Sequence, residues 1–111
     1  MGSAMAGIDD RERAFETEFA REQEMAFRVT ARRNRLVGGW AAGLMKLTPA
    51  ESEAYCKAVV QADFEEAGDE DVVRKLLGDL TAAGVDIDND AVRRALDEQQ
   101  IEARRQLLES F

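Results

Sequence analysis

"RVTARRNRLVGGWAAGLMKLTPAESEAYCKAVVQADF", residues 28–64, contains two helical faces and the break between them. Val29, Leu36, Val37, Trp40, Ala41 and Leu44 recur at three- and four-residue steps, the period of one face of an α-helix, so residues 25–46 are expected to form core. "TPAE", residues 48–51, then stops one helix and starts the next. Thr48 offers an oxygen to a free backbone N–H, Pro49 suits a first turn that needs no amide hydrogen, and Glu51 can reach back to the Thr48 amide. Beyond it, Ala54, Ala58, Val59 and Ala62, flanked by Tyr55 and Phe64, give a face of small residues that allows close helix packing. So short a connection folds two helices back to back, and the chain is read as all-α.

Toward the C-terminus the same signals repeat. A third segment starts at Asp69, runs through Val72, Val73, Leu76, Leu77 and Leu80, and stops at Gly84, which tolerates the left-handed conformation after a helix. A fourth follows an Asp88 cap and continues through Val92, Ala95, Leu96, Ile101, Leu107 and Leu108. A single proline and 111 residues suit one domain with one core, and short links between segments predict an up-down four-helix bundle. Gly38, Gly39 and Gly43 mark either a kink in the first helix or close approach of another helix.

Toward the N-terminus the helix signal persists while the core signal fades. The first helix is expected to begin after Asp9 or Asp10 and to reach about Lys46, with residues 1–7 an unstructured lead-in. In "DDRERAFETEFAREQEMAFR", residues 9–28, Phe15 and Phe19 share a face whose next positions, Glu22 and Gln23, are polar. Burying two Phe side chains yields about 1.5–3 kcal/mol each, against roughly 1–2 kcal/mol per residue to order the backbone. Residues 1–24 are therefore expected to be a mobile or overhanging segment that docks on another surface, and residues 25–111 the bundle domain.

Charge narrows the partners. Residues 1–47 carry eight basic and seven acidic side chains, and residues 48–111 seven and sixteen. An acidic body argues against nucleic acid or anionic lipid as partner, because both are polyanionic. Arg28, Arg32, Arg33 and Arg35 cluster in a stretch, 25–50, without any acid. They can meet an acidic partner, an anionic ligand, or the acidic helices of the same fold, the plainest of the three.

Catalytic and metal chemistry find little footing. With one cysteine, Cys56, and no histidine, the chain has neither an internal disulfide nor the usual thiolate and imidazole metal sites. Asp86, Asp88, Asp90 and Asp97 fall at calcium-loop spacing, but Ala91 stands where that loop needs glycine, and helix capping explains Asp88 and Asp90. No GxxxxGK loop is present, and no histidine can activate a nucleophile. Cys56 reads as a small buried residue and Trp40 as core. The expectation is a non-enzyme with no catalytic residue and no metal. No signal peptide and no apolar run near 18 residues is present, so a cytoplasmic chain is expected.

Three blocks, "DDRERAFE" at 9–16, "ARRNRLVGGWAAGLM" at 31–45 and "ADFEEAGDEDVVRKL" at 62–76, resemble the signature blocks of the zeta subunit family, the small inhibitor of the F-type ATP synthase of alpha-proteobacteria. The resemblance covers nearly the whole chain after residue 7 and is weakest in the last helix. It implies a four-helix domain whose N-terminal helix enters an interface between catalytic and non-catalytic subunits of the synthase head, near the central stalk, and blocks ATP hydrolysis. Carried over by motif, the inhibitory residues are Asp9, Asp10, Arg11, Glu12, Arg13, Ala14, Phe15 and Glu16, with Phe19 added by helical spacing. It further implies weak ATP or ADP binding, for which Arg28, Arg32, Arg33 and Arg35 are the candidate contacts, a monomer when free, and a location at the inner membrane only through the synthase. Two other readings remain open: a nucleotide-responsive regulatory bundle, and an assembly or adaptor protein that binds its partner without changing its activity.

Overall fold

The computed structural model of the chain describes residues 2–63 and 68–109, with side chains from Glu18 onward except Phe19. The described residues form four helices: α1 (Gly2–Leu44), α2 (Pro49–Ala62), α3 (Glu70–Ala82) and α4 (Asn89–Glu109). Each packs on its neighbours in chain order, α4 closes back on α1, and α3 also touches α1. The architecture is the expected all-α four-helix bundle, and the described residues contain no strand.

The junction between α1 and α2 forms as its residues dictate. The Glu51 amide donates to Thr48 Oγ1 at 3.2 Å, and the Thr48 amide donates to Glu51 Oε1 at 2.8 Å, so each satisfies the other's free end. That Thr48 amide also holds the Glu51 carboxyl below its ordinary value. α1 ends with the Leu47 amide on Ala42 O and the Lys46 amide on Gly43 O, both at 3.1 Å, which puts Lys46 in the left-handed region at φ 59°. α3 ends the same way with Gly84 at φ 83° in that position, as its glycine foretells. Asp88 Oδ1 accepts from the Ala91 amide at 2.8 Å, so it caps α4.

α1 differs from its expected course at its start. It begins at Gly2, ahead of Asp9, so the lead-in carries helical backbone; no proline interrupts it, and Ala4, Met5 and Ala6 are good helix formers. It runs unbroken through its glycines, so of the two readings of them close approach holds and the kink does not. Gly38 serves close approach, since a Cβ there would lie 3.0 Å from the Cys56 backbone and 3.4 Å from Val59, whereas nothing lies within 4 Å of a Cβ at Gly43.

The main core joins Val37 and Ala41 of α1, Val59 of α2, Val72, Leu76 and Leu80 of α3 and Val92 and Leu96 of α4, with Trp40 packed on its edge. A smaller cluster of Val29, Ala103 and Leu107, with Met25 and Leu36 beside it, fastens α1 to the far end of α4. Some apolar positions expected inside are not: Ile101 and Leu108 are exposed, as are Leu44 and Ala54. The buried row of α4 passes through Val92, Leu96, Ala103 and Leu107, and Ile101 lies off that row, as does Leu108. Phe64 lies outside the described residues.

Candidate functional site

The site begins with what α1 carries ahead of the bundle. Glu18 and all of Ala20, Arg21, Glu22, Gln23 and Glu24 are exposed, and the first of the described side chains to join a core cluster is Met25. Beyond that point α1 alternates between buried Val29 and Val37 and a polar outer face. Asp9, Asp10, Arg11, Glu12, Arg13, Ala14, Phe15, Glu16 and Phe19 have side chains outside the described residues.

The four arginines of the acid-free stretch divide into two sets. Arg28, Arg32 and Arg35 lie on one outward face, separated by four and three residues, as helical geometry requires. Arg28 pairs with Glu24 at 2.7 Å, Arg32 donates to Gln106 Oε1 at 2.9 Å, and Arg35 pairs with Glu53 of α2 at 2.6 Å. Glu53 is held below its ordinary value by Arg35. These contacts lie in solvent, where such pairs are worth roughly 0–1 kcal/mol.

Arg33 turns inward. Its residue is only 6% exposed, and its guanidinium grips Asp69 through two hydrogen bonds of 2.9 and 3.2 Å, a bidentate fork. It also donates to Asn34 Oδ1 at 2.9 and 3.1 Å and to Gln100 of α4 at 3.4 Å. One side chain thus ties α1, the start of α3 and α4 together. Asp69 stands at the N-cap of α3, but its carboxylate makes no capping bond, because Arg33 occupies it. Beside the fork, burial pushes the Asp63 carboxyl up, while Arg33 partly offsets that. Asn34 Nδ2 also lowers it, although that buried amide nitrogen makes no hydrogen bond of proper geometry among the described residues.

Asp63, Asn34 and Gln100 were not singled out by pattern, and Asp69 was read only as the start of α3. A signal was nonetheless present: Arg33 falls four residues after Val29 and four before Val37, on the buried row itself. A charged residue on a core row needs a partner. Cys56 is buried under Gly38 and Gly39 as a small packing residue. Among the described residues no group of three or more acids, cysteines or histidines is arranged to hold a metal ion. None of the described helices is long and apolar enough to cross a membrane.

The described residues thus form a small all-α bundle with three ion pairs between helices, Arg33–Asp69, Arg35–Glu53 and Arg93–Glu70, and an exposed stretch of α1 from Ala20 to Glu24. The model of the family "ATPase inhibitor subunit zeta" matches residues 5–106, and the chain belongs to that family. A protein solved by solution NMR is similar in structure at a TM-score of 0.70 with 41% identity, over 78% of this chain and 99% of that one. No curated protein matches the chain.

Proposed function

We propose that the chain inhibits ATP hydrolysis by an F-type ATP synthase by inserting its N-terminal helix into the catalytic head. Membership of an ATPase inhibitor family supports the inhibitory role. The observation that carries the finer reading is the exposure of every described side chain from Glu18 to Glu24, ahead of Met25, where packing on the core begins among the described residues. A helical stretch whose described side chains are not committed to its own core is available to a groove on a partner.

In this reading residues 1–24 are the inhibitory segment and residues 25–111 the bundle domain that holds it. Phe15 and Phe19 anchor in an apolar interface between catalytic and non-catalytic subunits near the central stalk, and the charges of Asp9, Asp10, Arg11, Glu12, Arg13 and Glu16 orient the helix. Ala14 belongs to the same motif by carry-over from the family. The free chain is a cytoplasmic monomer that reaches the inner membrane through the synthase.

The test is ATP hydrolysis by the purified cognate head, titrated with the full chain and with a chain lacking residues 1–24. The full chain is expected to inhibit, and the shortened chain, still helical by circular dichroism, to lose that effect. Equal inhibition by both would remove the N-terminal helix as the effector. Stable binding without any effect on hydrolysis would favour an adaptor instead.

A further inference from the structure

Three shallow cavities join end to end along the outward side of α1. The first, about 220 Å³, lies among Arg21, Glu24, Met25 and Arg28. The second, about 430 Å³, shares Arg28 and extends to Arg32 and Arg35, with Val60 of α2 and Leu107 of α4 as its sides. The third, about 360 Å³, shares Arg32 and Arg35 and ends at Leu36, Gly39 and Cys56. Together they form a furrow from Arg21 to Gly39, which at about 1.5 Å per helical residue is roughly 27 Å long.

The furrow's floor has a pattern. Positions 21, 25, 28, 32, 35 and 39 alternate steps of four and three, the spacing by which one helix receives another. Four of the six are arginine, on a chain of net charge −8. We propose that this furrow is a docking surface for an acidic helix of the synthase head, with carboxylates seven residues apart facing Arg21, Arg28 and Arg35 and aliphatic side chains over Val60 and Leu107. The proposal rests on the functional reading above and deepens it, giving the bundle its own hold on the head behind the inhibitory segment.

Charge and length select this occupant. Glu24 and Glu53 engage Arg28 and Arg35 in pairs whose four side chains are 46–59% exposed, so a partner's carboxylates can replace them at little cost. A compact anion fills one cavity, whereas an extended acidic helix fills all three. Gly39 leaves the far end open, since a Cβ there would meet only Cys56 Sγ, at 3.9 Å.

The test uses the full chain and two variants: the triple substitution Arg28→Gln, Arg32→Gln, Arg35→Gln, and Gly39→Leu, which blocks the end of the furrow without entering the core. Affinity for the purified head is measured by surface plasmon resonance at about 50 and 200 mM salt, beside the concentration that half-inhibits hydrolysis. Both variants are expected to melt like the parent and to bind at least about tenfold more weakly, the triple variant with a flatter salt dependence. Undiminished affinity in both overturns the furrow while leaving the inhibitor reading intact. Binding by the parent without inhibition overturns the inhibitor reading, and the variants' affinities still decide the furrow. No binding by the parent overturns both. ATP and ADP are titrated as controls, and amide shifts confined to Arg32, Arg35 and Gly39, with full head affinity retained in the triple variant, would make the furrow a small-anion site and overturn the proposal.

Discussion

At the scale of single residues, the structure turns two ordinary-looking side chains into energetic features. Lys46 occupies a left-handed helix-ending position that glycine occupies at the end of α3. A side chain there strains the backbone, so Lys46→Gly is expected to stabilise the bundle by roughly 0.5–1 kcal/mol in chemical denaturation. A decrease in stability would mean that the Lys46 side chain makes a contact worth more than the strain. Asp63 works through its proton. Burial raises its folded-state value above the unfolded one, so protonation favours the folded form, and the ionised carboxylate weakens the fold at neutral pH. Asp63→Asn is therefore expected to melt above the parent near pH 7, with the gap closing as pH falls through the carboxylate range toward about 4. A gap that stays constant with pH would exclude the Asp63 proton as its source. Neither feature was legible from pattern: the strain at Lys46 depends on where α1 stops, and the shift at Asp63 depends on what covers it.

At the scale of elements, glycines that look alike in sequence have opposite consequences. Gly38 lets α1 and α2 approach until a Cβ would press on backbone at 3.0 Å, so Gly38→Ala requires the Cys56 backbone to give by a small displacement. Overpacking of that kind is expected to cost about 1–3 kcal/mol. Gly43 faces open space, and Gly43→Ala is expected to stabilise by about 0.5–1 kcal/mol through helix propensity. Urea midpoints of the two variants check both signs, and destabilisation by both would show that Gly43 has a packing role of its own. The α1–α2 capping box, the glycine stop of α3 and the Asp88 cap of α4 were readable because caps act within four residues of themselves. Asp69 marks the start of α3 without capping it, since a buried arginine from another helix holds its carboxylate.

At the scale of the whole molecule, the longest helix is divided between two environments. Val29, Val37, Ala41 and Ala42 are buried, whereas Glu18 and residues 20–24 are exposed on the same helix. Amide hydrogens of residues 20–24 are expected to exchange far faster than those of residues 37–42, which open only with the core. Equal protection along both stretches would indicate that the N-terminal part of α1 is packed against something and would weaken its assignment to a partner. Sequence by itself determined the all-α class, the number of helices, most of their boundaries and the family, because helical period, caps and signature blocks are local and survive without coordinates. It also marked the stretch before Met25 as poor in core residues. Tertiary structure decided that Arg33 turns inward to join three helices while Arg28, Arg32 and Arg35 turn outward along a furrow, that Ile101 and Leu108 stay outside, and that Gly38 is a point of contact rather than a hinge. These outcomes depend on which faces meet across the bundle, and the period of a single helix carries no information about its neighbours.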